Sequence, residues 1–192
     1  MLKLILNKKY NPLFNSDARY FIITGGRGSG KSFAVTVFLT LLTMTKGIRI
    51  LFTRFTMTSA HLSIIPEFLE KIGLLGFDEV FSINKAEVVN TSNQSDILFR
   101  GIRTSAGNQT ASLKSLQGIS TWVLDEAEEL IDEDIFDTID LSIREKDIQN
   151  RIILILNPVT KEHWIYDRFF ESKGVEGGFN GVKDNVCYIH ST

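Results

Sequence analysis

Apolar residues are gathered into short dense runs along this chain, and most of the runs are too short for helices. "RYFIIT" (19–24), "IRILFTRF" (48–55), "STWVL" (120–124), "RIILIL" (151–156) and "VCYIH" (186–190) are rich in β-branched and aromatic residues and read as buried strands. Between them lie longer segments of helical spacing. "KSFAVTVFLTLLTM" (31–44) is apolar enough to be a largely buried helix, with Gly47 as its stop. In "SAHLSIIPEFLEKIG" the residues Leu62, Ile65, Phe68, Leu69 and Ile72 share a helical face, and Pro66 predicts a kink or a new helix start. Ile135, Phe136, Ile139 and Ile143 form another such face, and "HWIYDRFFES" predicts a further helix. "AEVVN" and "DILFRGI" flank the polar turn "TSNQS", which predicts a hairpin from about Glu87 to Ile102. "KGVEGGFNGVKDN" reads as a surface loop, and Phe14, Phe38, Phe55, Phe68, Phe136, Phe169 and Trp164 are expected in the core.

Strands alternating with helices imply an α/β fold: a mostly parallel sheet flanked by helices on both faces, with an antiparallel hairpin added. Such sheets bind ligands at the carboxyl ends of their strands. Three polar segments gather there: the glycine loop after the first strand, Asp125–Glu126 after "WVL", and Asn157 after "ILIL".

The glycine loop carries the most specific chemistry. Gly25 to Ser32 fits G-x-x-x-x-G-K-[ST], in which glycines let successive backbone N–H groups turn inward onto a polyphosphate. Gly25, Gly26, Arg27, Gly28, Ser29 and Gly30 would form the cradle, Lys31 would reach the β- and γ-phosphates, and the Ser32 hydroxyl would hold Mg²⁺. A strand before the loop and a helix after it supply the required context, and the helix end adds a dipole favourable to anions. A glycine turn that binds nothing would not need that order.

Asp125 closes an apolar strand, where its carboxylate can hold Mg²⁺ through water opposite Ser32. Glu126 beside it can orient, or take a proton from, the water that attacks the γ-phosphate. Two surface acids opening a helix are the bland alternative. A small GTPase would carry D-x-x-G here, whereas Asp125 is followed by Glu126, Ala127 and Glu128; "NKAE" (84–87) resembles the guanine-reading N-K-x-D only by coincidence. A water-polarising glutamate also fits a nucleoside kinase poorly. The amide of Asn157 could contact the γ-phosphate or the attacking water, or Asn157 could simply begin an Asn-Pro turn.

Composition narrows the class without choosing the function. The chain has 192 residues, 43% hydrophobic and 23% charged, as expected of one globular domain. One cysteine, Cys187, excludes an internal disulfide, and no apolar run is long enough to predict a membrane span. The net charge of −2 conceals an asymmetry, because nine of the 23 acids fall between Asp125 and Asp140 with no Lys or Arg among them. Bases therefore outnumber acids elsewhere, and a basic surface for a polyanion remains possible. Cys187 and His190 lack the second pair that a zinc site needs.

"YNPLFNSDARYFIITGGRGSGKS", "SLKSLQGISTWVLDEAEEL" and "LNPVTKEHWIYDRFF" together resemble the ATPase domain of the large terminase subunit of tailed bacteriophages, from about Tyr10 to Thr192. The resemblance implies a P-loop NTPase of the ASCE type that uses ATP and Mg²⁺ to pump double-stranded DNA into a procapsid. It also implies partnership with the portal protein and the small terminase subunit, and a homo-oligomeric ring on the capsid, usually a pentamer, that is monomeric in dilute solution. Its setting would be the cytoplasm of an infected bacterium, away from any membrane. It makes Arg27 a charge that senses or stabilises the γ-phosphate, Glu126 the catalytic carboxylate, Asn157 the start of a coupling motif, and "NPLF" a neighbour of the adenine. A basic residue from the adjoining subunit would complete the site, with Arg100, Arg103 and Lys114 as candidates. The family usually continues into a nuclease domain, so residues 1–192 are expected to be the N-terminal domain of a longer protein. A helicase and a nucleotide-gated assembly module are the competing readings.

Overall fold

The computed structural model describes residues 4–57, 60–104, 107–108, 113 and 115–192. Its centre is a ten-stranded sheet. The strands are β1 (Tyr20–Gly25), β2 (Arg49–Thr56), β3 (Phe81–Ile83), β4 (Glu87–Asn90), β5 (Asp96–Thr104), β6 (Gly107–Asn108), β7 (Thr121–Asp125), β8 (Arg151–Leu156), β9 (Gly181–Lys183) and β10 (Val186–Ser191). Their order across the sheet is β3-β4-β5-β2-β7-β8-β1-β10-β9, with β6 paired to β5. The six central strands β5, β2, β7, β8, β1 and β10 run parallel. Antiparallel pairing is confined to the margins, in β3-β4-β5, β6 and the β9-β10 ribbon.

The central strands are apolar on both sides because both sides are covered. Phe21, Ile23, Val123, Ile153 and Ile155 face one core, which α1 (Asn11–Asn15), α2 (Lys31–Leu42) and α3 (Ala60–Leu75) help to close. Ile22, Trp122, Leu124, Ile152 and Leu154 face the other, under α4 (Glu133–Asp140) and α5 (Trp164–Tyr166), which runs on into a π-helical turn at Asp167–Glu171. Alternate residues of each strand thus serve opposite layers, as the two-residue period of a strand requires.

Several expectations need correction. Helix α3 runs through Pro66 as one element, so no new helix starts there, and it buries Ile64, Ile65, Phe68 and Ile72 while leaving Leu62 and Leu69 exposed. The packing stripe, set against Phe52 and Phe99, outweighs the one backbone bond that proline removes. Phe14 is half-exposed and meets Phe38 only edge-on. The 173–185 segment is not all loop, since β9 within it pairs with β10.

The acid-rich stretch divides into two groups. Asp140 is buried at the amino-terminal edge of the sheet, where it accepts bonds from Arg19 Nη2 at 2.5 Å and the Tyr20 hydroxyl at 2.8 Å. Arg168 ties Glu133 and Asp137 to the face of Phe136. These acids hold α4 against the sheet. Asp140→Ala should destabilise the fold by about 2–3 kcal/mol, less than for a wholly buried pair because Arg19 keeps part of its side chain in water. Urea unfolding of this variant beside Asp140→Asn, whose single amide oxygen can still accept from Arg19 while its NH2 can donate to the Tyr20 hydroxyl, checks it.

Candidate active site

The carboxyl ends of β1, β2, β7 and β8 surround a cavity of about 360 Å³. Its floor is the turn from β1 into α2. At Gly25 the chain passes so close to β10 that a Cβ would lie 2.0 Å from the Ser191 carbonyl oxygen, so only glycine fits. Gly28 and Gly30 take left-handed backbone angles, φ 77° and 84°, and Gly30 is the N-cap of α2. Two donors hold the outside of the loop: the Tyr10 hydroxyl and Ser191 Oγ both bond the Ser29 carbonyl, at 3.1 and 3.0 Å. The Ser29 hydroxyl is itself buried with no protein partner among the described residues.

Lys31 is 9% exposed. Its ammonium donates to the carbonyls of Gly25 (2.5 Å) and Gly26 (2.9 Å) and lies 3.4 Å from Asn157 Oδ1. Burial draws its pKa below the usual lysine value, opposed by the charges of Glu128 and Asp125. Arg27 and Ser32 line the same cavity on exposed positions.

Asp125, 5% exposed, ends β7 directly across from Arg54 of β2. Arg54 donates to one carboxylate oxygen, Oδ2, through both Nε (2.8 Å) and Nη2 (2.7 Å). Oδ1 keeps its lone pairs free of that bond. With the Ser32 hydroxyl it offers the hard oxygen donors that Mg²⁺ prefers when phosphate and water complete its shell. Glu126 follows in the left-handed region, φ 55° and ψ 46°, which for a non-glycine residue costs on the order of 1–3 kcal/mol. The buried Ala127 beside it anchors the turn. Glu126 Oε2 lies 3.6 Å from Arg54 Nε. Burial raises the Glu126 pKa, Arg54 lowers it, and the neighbouring acids raise it again.

β7 and β8 are parallel neighbours, which brings Asn157 to the same end of the sheet as Asp125. Asn157 Nδ2 donates to Glu128 Oε1 at 2.6 Å. The structure therefore gathers Lys31, Ser32, Arg27, Asp125, Glu126 and Asn157 around one cavity, while the carbonyls of Gly25 and Gly26 face Lys31. It does not bring Arg100 or Arg103 there. Arg100 donates to the carbonyls of Ala86 and Phe99, and Arg103 is exposed on β5. Lys114 lies outside the described residues. Asn11–Asn15 forms α1, immediately after Tyr10 and its bond to the loop.

Two cavity residues escaped the reading of the sequence. Arg54 is the one charge between Ile50 and Phe55, and an arginine closing an otherwise apolar strand was the available signal. Glu128 carried no signal beyond its place among other acids.

Residues 17–192 match the family model for the phage terminase large subunit. No curated protein matches by sequence. Among solved structures, the large terminase of a thermophilic bacteriophage superposes with a TM-score of 0.75 at 11% identity, over 98% of this chain and 46% of that one. That thermophilic-phage protein has also been solved with ATP-γ-S and with ADP. The ATPase domain of the Thermus phage P74-26 large terminase gives 0.69 at 17% identity, over 97% and 80% of the two chains. The N-terminal domain of the DNA packaging ATPase from bacteriophage phi29 gives 0.70 at 15%, over 94% and 93%. The fold is thus that of the terminase ATPase domains, and the chain spans somewhat less than half the length of the thermophilic-phage terminase.

Proposed function

The chain belongs to the phage terminase large-subunit family, and on that premise we propose that it hydrolyses ATP to drive double-stranded DNA into a procapsid. The observation that carries this reading is the meeting of Lys31, Asp125, Glu126 and Asn157 around one cavity at the carboxyl end of the sheet. The complexes of the thermophilic-phage terminase with ATP-γ-S and ADP support a nucleotide as the ligand. Gly25, Gly26, Arg27, Gly28, Ser29 and Gly30 cradle the phosphates. Lys31 exchanges its two loop carbonyls for β- and γ-phosphate oxygens. Asp125 and Ser32 would hold Mg²⁺, which screens the phosphate charge when bound.

Glu126 takes a proton from the attacking water as its oxygen bonds to the γ-phosphorus, and the electron pair of the broken bond leaves on ADP. Its raised pKa makes it a stronger base than an exposed carboxylate. Arg27 faces the developing charge, and Arg54 keeps Asp125 oriented on one oxygen so that the other remains available. Asn157 starts the segment that reports the state of the γ-phosphate, and α1 lies towards the adenine.

A homo-oligomeric ring on the portal, usually a pentamer and working with the small terminase subunit in the cytoplasm of an infected bacterium, is the setting that the family supports. Among the described residues no helix is long and apolar enough to cross a membrane. In such a ring a neighbour supplies a further basic residue. Arg103 suits this better than Arg100, whose guanidinium is already engaged by two carbonyls; Lys114 is the third candidate. Residues 1–192 would be the N-terminal ATPase domain of a longer protein whose later part carries the nuclease.

This arrangement predicts slow turnover by the dilute protein and faster turnover per molecule once copies meet, because an arginine supplied in trans is worth on the order of 10³ to 10⁵ in rate. Phosphate release measured against protein concentration, with and without portal, tests it. A rate per molecule that stays flat across assembly would assign the work to residues of one copy. Unwinding of a forked duplex would favour a helicase instead.

A further inference from the structure

Asn157 is an amide, and an amide can face a cation with either its oxygen or its nitrogen. Which end it presents is decided here by Glu128. Asn157 Nδ2 donates to Glu128 Oε1 at 2.6 Å, and this leaves Oδ1 turned to Lys31 Nζ at 3.4 Å. The opposite rotamer would set an N–H against an ammonium and an oxygen against a carboxylate, and both contacts are repulsive. Glu128 is itself placed from two directions. His163 and Trp164, which open α5, reach back to the turn that carries it: the His163 ring bonds the Glu128 carbonyl at 3.1 Å and Trp164 Nε1 bonds the Leu130 carbonyl at 2.6 Å. The amide N–H of Ile165 donates to His163 Nδ1, so the ring's proton sits on Nε2 and points at Glu128. The second oxygen of Glu128, Oε2, is buried without a hydrogen-bond partner among the described residues.

We propose that Glu128 is a positioning residue for hydrolysis: it locks Asn157 with its oxygen towards Lys31 and the phosphate site, so that this oxygen accepts a hydrogen bond from the attacking water once Lys31 turns to the phosphates. The inference rests on the ATPase reading. Glu128 lines the cavity, and one of its oxygens is engaged by Asn157, through which it acts. The segment after β8 that carries Asn157 is also the one stitched to the Glu128 turn by His163 and Trp164.

Three consequences separate this from a merely structural role. Glu128→Ala should lower kcat for ATP by about 10- to 100-fold, the usual range for loss of a residue that orients a site ligand, with KM changed less than about threefold. Glu128→Gln, whose amide oxygen can still accept from Asn157, should recover most of that loss. In an Asn157→Ala background, Glu128→Ala should have no further effect, because its route to the chemistry is already gone. Full additivity of the two substitutions, or an equal loss in the Gln and Ala variants, would overturn the proposal.

A readout that needs no turnover keeps the inference apart from the ATPase reading. The side-chain amide protons of Asn157, identified by their absence from the Asn157→Ala NMR spectrum, should lie downfield in the wild-type chain and move upfield in Glu128→Ala. If they do not move, the positioning role is wrong whether or not the protein hydrolyses ATP. If they move and the wild-type chain hydrolyses no ATP even at high concentration with portal present, the ATPase reading fails and the role of Glu128 in catalysis falls with it.

Discussion

Lys31→Ala should abolish detectable ATP binding. The wild-type ammonium is already desolvated and held by carbonyls that it can exchange for phosphate oxygens, so little of its hydration remains to be lost on binding. Two charge-assisted hydrogen bonds at about 1.5–3 kcal/mol each imply a loss of roughly 10² to 10⁴ in affinity. Calorimetric titration with ATP-γ-S measures it. A thermal melt of the same variant is needed beside the titration, since the Gly25 and Gly26 carbonyls lose a donor and the loop could loosen. Wild-type affinity in a folded Lys31→Ala protein would place the phosphates elsewhere.

Glu126→Gln should bind ATP within about twofold of wild type and lose turnover by roughly 10² to 10⁴, the range expected when a general base is removed. Glutamine keeps the size of the side chain and its reach towards Arg54, and the left-handed backbone at this position carries the same strain in both proteins. The ground-state complex is therefore preserved while the proton acceptor is gone. A fall in nucleotide affinity equal to that of Lys31→Ala would mean that Glu126 binds the ground state and that the base lies elsewhere.

The two variants act on residues that local pattern made legible. Gly25 to Ser32 declares itself because the glycines, the lysine and the hydroxyl are contiguous, and a strand and helix of opposite periodicity bracket them. Asp125 and Asn157 could be placed at one end of the sheet because each closes an apolar run, and parallel strands put such ends together. The partners of these residues were harder to see. Arg54 meets Asp125 only because β2 and β7 are neighbours in register, and strand order is a property of the whole fold that no local window contains. Glu128 and Asn157 lie 29 residues apart and meet through a turn in an uncommon backbone conformation.

Elements with little burial of their own were also hidden. β3 and β9 have three residues each and exist because β4 and β10 give them a pairing edge. The run of acids shows the same limit differently. Composition gave it one character, yet Asp125, Glu126 and Glu128 line the cavity while Glu133, Asp137 and Asp140 are ion-paired on a helix at the opposite end of the sheet.

Whether this one cavity binds and hydrolyses ATP is decided by following phosphate release and ATP-γ-S binding on the same wild-type preparation, with Mg²⁺ and then with excess EDTA. Saturable binding of ATP-γ-S, phosphate release that requires Mg²⁺, and loss of that release in EDTA are the expected results. Absence of any binding up to millimolar ATP-γ-S in Mg²⁺, or phosphate release undiminished by EDTA, would contradict that function.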